Sequence, residues 1–391
     1  MNIDLIRFTD KYLGTFLRLA LYYYQKFRDL FPQRQHREPY LRLLVVKFWG
    51  IGNIIRVSPT LKGIRKRFPE ARITFITLSQ NRGVYDDDNL YDEIIYLNLH
   101  SVRAFLWDVV TKYFILRRKK FDLVLDLEPL ANFSEIVSFY VGVGTRVGFS
   151  VPGRRSLFTV KVPFNEDEHI SATFYRILSP FGVEMAYDLL PVPITISDES
   201  KSEIRRLLAE NGIEPNDFVI AVNVNASSVA DARRWPPERF AELIKRLDSE
   251  LAVKFIMIGA PYEKERVQEV IDMVEGTGLN LAGKTNLKQA SAALERADIF
   301  ITNDSGPMHI GMAIGTPTVA LFGPESPARY GPISGNHIAI HKGHDCSPCI
   351  KFSEAKKIKC RENAKCIMEI TVDDVYKGVM KLYRGLKENE G

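Results

Sequence analysis

The side chains best suited to chemistry lie in one short segment of the chain, "IFITNDSGPMHIGMAIGTPTVALFGPES". An apolar run ends there in polar residues, and Pro307 then suits the first turn of a helix. A helix beginning at this point would offer free backbone N–H groups and the positive end of its dipole to a phosphate. A capped helix with a buried histidine is the structural alternative. The residues concerned are Asp304, Ser305, Gly306 and His309.

A hydrolase is a poor interpretation of the same segment. Its aspartate, serine and histidine lie within six residues of one another, and the Gly-x-Ser-x-Gly context of a nucleophile is absent.

Polar residues also follow two other apolar runs in the second half of the chain. Ser227 and Ser228 come directly after one run and are small donors, and Arg233 could pair with a phosphate. Glu263 follows the next run and could accept hydrogen bonds from a ribose or a base. A helix acid on the surface is the alternative for Glu263.

The first apolar run ends in "KFWGIGNII", which places Gly52 at the entrance to a predicted helix. Glycine lets the backbone approach a ligand closely. The third glycine of a dinucleotide fingerprint is missing, so an oxidoreductase is disfavoured, and a tight strand-to-helix turn is the plain alternative.

Apolar runs alternate with helical patterns along most of the chain, which predicts an α/β protein with parallel sheets. The pattern restarts after a polar stretch near residues 180–216. We expect a helical extension over 1–40, a Rossmann-like domain over 41–190 and a second Rossmann-like domain over 191–391. Two such domains facing a cleft would bind ligands beyond the carboxyl ends of their strands.

The chain has 391 residues and a net charge of +5, and its basic residues concentrate in two aromatic segments. Residues 1–40 hold seven Lys/Arg against four acids, and residues 103–120 hold six against Asp108. Basic charge beside Trp, Tyr and Phe suits an anionic membrane surface, with a solvated face over core aromatics as the alternative. No nucleic-acid motif accompanies the charge. The N-terminus lacks the pattern of a signal peptide, so we expect a cytoplasmic protein.

Taken together, the motifs resemble glycosyltransferase family 9, the ADP-heptose:lipopolysaccharide heptosyltransferases, over roughly residues 41–385. The matching segments are "WGIGNIIRVSPTLKGIR", "RVGF", "RRWPPERFAEL", "IGAPYE", "NDSGPMHIGMAIGTPTVALFGPESPARYGP" and "CSPC…KC…KCIMEITVDDV". The resemblance implies a GT-B fold and inverting sugar transfer without an essential metal. It also implies that the domain over 41–190 binds the acceptor and that the domain over 191–391 binds the nucleotide sugar, an ADP-linked sugar being favoured.

The resemblance also assigns roles to residues. The residues of the 304–309 turn would hold the diphosphate and donor sugar, near Gly52 of the first loop. Ser227, Ser228 and Arg233 would bind phosphate, and Glu263 would hold the adenosine.

The sequence departs from the family at Asn53, where the family usually has the aspartate that acts as general base. An amide cannot take a proton from an acceptor hydroxyl at neutral pH. "VLDLEPLANFSE" offers Asp126 and Glu128, which strand alternation places on one face. We predict that Glu128 replaces the missing base, with Asp126 as the second candidate.

Four cysteines lie within 21 residues near the C-terminus, at Cys346, Cys349, Cys360 and Cys366. Four thiols so close together fit a structural zinc site without a catalytic role, although the spacing is less diagnostic than two Cys-x-x-Cys pairs. Reduced buried thiols or one disulfide are the alternatives.

The sequence therefore predicts a sugar transferase acting on a lipid-anchored saccharide such as lipopolysaccharide core, at the inner face of the cytoplasmic membrane. A catalytically silent nucleotide-sugar-binding protein is the first alternative, because of Asn53. A sugar epimerase of the same fold is the second.

Overall fold

The structure of the protein is a computed structural model. It describes residues 8–30, 38–86, 89–98, 101–185, 189–226, 231–350, 360 and 362–388. The chain divides into two compact units, Met1–Leu189 and Leu190–Gly391.

Each unit is built on a parallel sheet of six strands. The first sheet has the order β3-β2-β1-β4-β5-β6, and the second has the order β12-β11-β10-β7-β8-β9. The strands of the first unit are Arg42–Val46 (β1), Arg72–Leu78 (β2), Glu93–Leu97 (β3), Leu123–Asp126 (β4), Thr145–Ser150 (β5) and Val160–Pro163 (β6). Those of the second are Phe218–Asn223 (β7), Val253–Met257 (β8), Leu279–Asn280 (β9), Ile299–Asn303 (β10), Thr318–Leu321 (β11) and His337–Ile340 (β12).

Helices lie in most of the connections between strands, as is usual for crossovers of a parallel sheet. In the first unit, the α-helices are Thr15–Arg28, Ile51–Arg56, Ser58–Arg67, Val102–Arg118, Asn132–Tyr140 and Ile170–Tyr175. In the second unit, they are Asp198–Ala209, Pro237–Glu250, Lys264–Met273, Leu287–Arg296, Gly306–Ile314, Pro327–Tyr330, Lys365–Met368 and Val372–Glu388. We call Thr15–Arg28 the N-terminal helix, Val102–Arg118 the basic helix and Gly306–Ile314 the Gly306 helix.

The central strands are apolar and buried because helices cover both faces of each sheet. In the first unit, Leu44, Val46 and Val124 belong to a core that also contains Leu116 of the basic helix. In the second unit, β7, β8 and β10 pack against Pro237–Glu250 and Lys264–Met273, and the C-terminal helix Val372–Glu388 contributes Val375 and Val379. The predicted α/β class, its two doubly wound domains and the N-terminal helical extension are confirmed.

Two strands and one helix boundary differ from the sequence-based expectation. The strands β6 and β12 were not predicted, and both are sheet edges whose residues are mostly only half-buried. Their patterns therefore lack the continuous apolar run of a central strand. The first helix after β1 begins at Ile51, so Gly52 lies within its first turn and not before it, because Gly50 turns the chain at a φ of 83°.

In each unit, the order of the strands reverses at one point in the sheet. In the first unit β1 lies beside β4, and in the second β7 lies beside β10. Open α/β sheets bind ligands beyond the carboxyl ends of the strands at such points. Gly52 and Glu128 follow β1 and β4 of the first unit, and Asp304 follows β10 of the second.

Candidate active site

The Gly306 helix begins directly after β10, as predicted. Ser305 occupies the N-cap position in an extended conformation, but its side chain makes no capping hydrogen bond. The first backbone N–H groups of the helix therefore lack the side-chain acceptor that usually satisfies them. His309 lies buried within this helix and has a partner of its own. The turn thus leaves N–H groups without a side-chain cap, which is the backbone arrangement that the predicted phosphate site requires.

Side chains from two strands hold this turn in place. Nδ2 of Asn223, the last residue of β7, lies 2.9 Å from Oγ of Ser305 and 3.1 Å from Oγ1 of Thr302. Oδ1 of Asn303 accepts a hydrogen bond from the backbone N–H of Trp235 at 3.0 Å. Because all of these groups are buried, each hydrogen bond is made away from competing water.

A buried group of charges lies beside the same turn. Arg233 Nε lies 3.5 Å from Asp304 Oδ2, and Arg233 donates to Oε1 of Glu325 over 3.0 Å. The second carboxyl oxygen of Glu325, Oε2, is buried and has no hydrogen-bond partner within the described part of the chain. The structure thus brings Arg233 and Asp304 together as the sequence suggested, and it adds Glu325.

Burial sets the charge state of this group. Loss of solvent raises the pKa of Glu325 to about 8, and the nearby Asp304 carboxylate acts in the same direction, so Glu325 is largely protonated at neutral pH. Burial opposes the charge of Arg233, but Asp304 and Glu325 outweigh it and raise its pKa. Burial, assisted by Glu325, also raises the pKa of Tyr330. Burial therefore favours the neutral form of Glu325, whereas Arg233 keeps its positive charge.

Three other predicted donor residues have different surroundings. Glu263 is half-buried, and its Oε2 accepts the backbone N–H of Ala260 at 2.8 Å, so it caps the start of its own helical turn. Burial raises the pKa of Glu263. Ser227 and Ser228 lie outside the described residues, and their roles stay predictions. Arg234 donates to the carbonyl of Ala226 and so fixes the end of the preceding loop.

In the first unit, Glu128 lies beyond β4 in a tight polar contact with the end of β1. Its Oε1 lies 2.6 Å from Nζ of Lys47 and accepts the backbone N–H groups of Phe48 and Trp49 at 2.7 Å each. Lys47 is completely buried, and Glu128 is nearly so. The other oxygen, Oε2, makes no hydrogen bond to any described residue. The carboxylate is therefore fixed in orientation through one oxygen.

Asp126, the second candidate base, is fully buried at the last position of β4. Its Oδ1 accepts the backbone N–H of Glu128, and its Oδ2 accepts the hydroxyl of Ser138, both at 2.9 Å. Burial raises the pKa of Asp126 to about 8, and the nearby Glu128 carboxylate acts in the same direction. With both oxygens engaged, Asp126 is better placed to hold Glu128 than to meet a substrate.

The glycine loop lies next to this pair. Gly52 is buried and Asn53 is half-buried, both in the short helix Ile51–Arg56. No described residue makes a hydrogen bond to the Asn53 side chain, so its amide remains available to a ligand.

The four cysteines are free thiols with different exposure. Cys346 is exposed, Cys349 and Cys360 are half-buried, and Cys366 is buried. Burial raises the pKa of Cys366 to about 11, and the other thiols add to the effect. No three His, Cys, Asp or Glu side chains of the described ranges are arranged to hold a metal ion. Residues 351–359, between Cys349 and Cys360, are outside those ranges, so the zinc site stays a prediction.

Sequence reasoning missed Glu325 and Lys47. Glu325 could have been suspected because it follows an apolar run, β11, just as Asp304 follows β10. Lys47 continues the apolar run of β1, and a lysine within such a run signals a buried ion pair.

Comparisons with known proteins agree with this arrangement. The family model "Glycosyltransferase family 9 (heptosyltransferase)" matches residues 115–359. The Haemophilus influenzae protein "Lipooligosaccharide heptosyltransferase 2" is 33% identical over 257 residues, covering 63% of this chain and 70% of the relative. The Escherichia coli protein "Lipopolysaccharide heptosyltransferase 2" is 25% identical over 305 residues, covering 75% and 86%.

Solved structures share the fold. The glycosyltransferase family 9 structure from Veillonella parvula has a TM-score of 0.74 at 27% identity and covers 89% of this chain and 98% of that one. E. coli ADP-heptose heptosyltransferase II has a TM-score of 0.71 at 21% identity and covers 90% and 100%. The fold is thus GT-B, and the protein is a glycosyltransferase. The chain belongs to glycosyltransferase family 9.

Proposed function

We propose that the protein is an inverting, metal-independent heptosyltransferase. It transfers heptose from ADP-heptose to a lipid-anchored saccharide such as lipopolysaccharide core. The observation that carries this proposal is the uncapped start of the Gly306 helix beside the buried Arg233. Together they form the proposed binding site for the diphosphate of a nucleotide sugar.

The leaving group of such a transfer is a nucleoside diphosphate, which gains negative charge as the glycosidic bond breaks. Without a metal, preorganised N–H groups and cations must stabilise that charge. Arg233 supplies the cation, and the helix supplies N–H groups and its dipole. Because Glu325 is largely protonated at neutral pH, it does not add a second negative charge near the phosphates. Its unpartnered Oε2 can instead meet the ligand.

The identity of the donor sugar and of its nucleotide is inferred from the relatives. The matched proteins are named heptosyltransferases, and one E. coli member of similar fold was solved with ADP. These names support ADP-heptose as the donor and a lipopolysaccharide or lipooligosaccharide core as the acceptor. They give no support to a catalytically silent binding protein.

Glu128 is the proposed general base. Its Oε1 is fixed by Lys47 and two backbone N–H groups, which leaves Oε2 to accept the proton of the acceptor hydroxyl. The oxygen of that hydroxyl attacks the anomeric carbon as the bond to the diphosphate breaks, which inverts the configuration. Glu263 and the Ser227–Ser228 loop are proposed to hold the adenosine and phosphates from the other strand ends.

The acceptor implies a location. Lipid-anchored saccharides lie in a bilayer, so the enzyme is proposed to work at the inner face of the cytoplasmic membrane as a peripheral protein. None of the described helices is long and apolar enough to cross a bilayer.

Donor binding is tested by thermal shift with ADP, UDP and GDP, since a ligand of the native state raises the melting temperature. ADP should give the largest shift. Arg233→Gln should weaken ADP binding about tenfold or more through loss of a charge-assisted contact. Arg206→Gln, an exposed arginine of the same unit, is the matched control. A preference for UDP or GDP would remove the ADP-heptose assignment.

Transfer is tested with ADP-heptose and a heptose-free core acceptor. Glu128→Gln should lower kcat about 10²- to 10⁴-fold while ADP affinity is retained. Initial rates should be the same with EDTA and with Mg²⁺, and NMR of the product should show an inverted anomeric centre. Full activity in Glu128→Gln, with loss in Asp126→Asn, would transfer the role of base to Asp126.

A further inference from the structure

The N-terminal helix exposes large apolar side chains, whereas an ordinary surface helix buries them. Two of its polar side chains face the protein, whereas Lys26 and Arg28 are exposed. Arg18 is buried and donates to Oδ1 of Asn132 at 2.7 Å, and Gln25 accepts from Arg146 at 3.0 Å. Asp10, in the turn before the helix, accepts the backbone N–H groups of Asn132 and Phe133. The face that remains for solvent is the apolar one.

That outer face is a stripe of large apolar side chains at helical spacing. Phe16 is 67% exposed and Phe27 is 61% exposed, where a surface helix would normally bury such rings. The other exposed members of the stripe are Tyr12, Leu13, Leu17, Tyr23 and Tyr24.

The basic helix presents a second exposed stripe. Trp107 is 71% exposed and Phe114 is 57% exposed, with Val110 between them. Arg103 lies one turn before Trp107, and Arg117 and Arg118 follow Phe114, all exposed. Apolar rings are therefore flanked by cations at both ends of this stripe.

Ring contacts join the two stripes into one surface. Tyr24 of the N-terminal helix contacts Phe139 with ring centroids 6.4 Å apart, and Phe139 contacts Tyr140 at 6.0 Å. Tyr140 contacts Tyr113 of the basic helix at 6.1 Å. Both stripes and the exposed ring of Tyr140 thus form what we call the aromatic face of the first unit.

The charge of the two helices identifies the partner. They contain seven Lys/Arg, of which only Arg18 is buried, and one acid, Asp108, which is paired with Lys112 at 2.8 Å. Tyrosine and tryptophan prefer the boundary between lipid tails and headgroups, and lysine and arginine attract anionic lipids. This combination fits a bilayer surface better than a protein partner, whose contact area would need complementary acids for so many cations.

We propose that the aromatic face is the docking surface for an anionic phospholipid bilayer, an inference that rests on the proposed lipid-anchored acceptor and deepens it. The apolar stripes insert among the headgroups, and the surrounding cations contact lipid phosphates. Asp10 and Arg18 hold the N-terminal helix on Asn132–Tyr140, the helix that follows the Glu128 loop. Docking therefore holds the unit that contains Glu128 at the membrane.

The test is flotation of the full chain with phosphatidylcholine vesicles, with and without phosphatidylglycerol. The wild type should bind the vesicles that contain phosphatidylglycerol and bind pure phosphatidylcholine weakly. Phe16→Gln with Phe114→Gln should reduce binding at least about tenfold, as loss of two inserted rings requires. Arg103→Gln with Arg118→Gln should abolish the preference for phosphatidylglycerol. Met273→Gln with Ile333→Gln, two exposed apolar residues of the other unit, should bind as the wild type does.

Unchanged flotation of the Phe16→Gln, Phe114→Gln variant would overturn the proposal, as would a wild type that binds neither kind of vesicle. So would a wild-type dimer that this variant converts to monomers, because the face would then be a subunit interface. The ADP-induced thermal shift is measured on every variant and shows that the chain remains folded. If the wild type binds vesicles but shows no ADP-induced thermal shift, the docking surface is supported and the proposed function is refuted.

Discussion

Lys47 and Glu128 form a buried ion pair across the first sheet, with Nζ 2.6 Å from Oε1 at the ends of β1 and β4. The same oxygen accepts the backbone N–H groups of Phe48 and Trp49, so one carboxylate holds the start of the glycine loop. The Lys47 ammonium also lies 5.5 Å from the ring centroid of Phe174. The pair thus ties the proposed base to the core of its own unit.

Removing the lysine alone should destabilise the protein strongly. Lys47→Met leaves the Glu128 carboxylate buried without its cation, which costs about 3–5 kcal/mol of unfolding free energy. Lys47→Met combined with Glu128→Gln should recover much of that loss, because the uncompensated charge is gone. Urea unfolding of the two single variants and the double variant measures this. If the losses of unfolding free energy in the two single variants add up to the loss in the double variant, the two side chains do not interact.

Asp126 should make stability fall as the pH rises from about 4 to about 8. Its pKa is raised from 3.8 to about 8, so the folded state prefers the protonated acid. Its stabilising effect is complete below the unfolded pKa and is lost as pH rises through about 8. Asp126→Asn keeps a neutral group that can still bond to Ser138. This variant should melt at a similar temperature to the wild type at about pH 4 and at a clearly higher temperature at about pH 8. A parallel decline of both proteins with pH would contradict the assignment.

Glu325 should make ADP binding weaken at alkaline pH. Above about pH 8 the side chain is a carboxylate beside Asp304, and it repels the diphosphate unless binding takes up a proton. ADP affinity should then fall by up to about tenfold per pH unit, and Glu325→Gln should remove this dependence. Calorimetric titrations between pH 6.5 and 9 give the affinities, and buffers of different ionisation enthalpy report the proton taken up. Identical pH profiles for wild type and variant would exclude Glu325 from the donor site.

The cysteines should hold a metal ion if the zinc prediction is correct. Mass spectrometric metal analysis of freshly purified protein should find about one zinc per chain, and Cys366→Ser should lose it. Cys366→Ser should also melt at a lower temperature, whereas ADP should still shift its melting temperature. Metal-free wild type with four titratable thiols would favour reduced thiols, and two titratable thiols would indicate a disulfide.

Much of the fold followed from local pattern. Central strands such as β1 and β10 are continuous apolar runs because both faces of a parallel sheet are covered, and such runs are visible in the sequence. The turn at Asp304–Gly306 was recognisable for a similar reason, since proline and glycine mark the start of the Gly306 helix locally. Edge strands β6 and β12 could not be predicted in this way because partially buried strands lack a continuous apolar run.

Contacts between distant segments were decided by the tertiary structure alone. Glu128 meets Lys47 across 81 positions and Glu325 meets Arg233 across 92, because parallel pairing brings strand ends together regardless of their spacing in the chain. The tertiary structure alone also decided which face of the N-terminal helix is exposed. Its sequence shows a basic aromatic helix, but only the packing of Arg18 and Gln25 against the first unit leaves the aromatic side facing outward. Local sequence determines which elements form, and the long-range hydrogen bonds determine which of their faces meet.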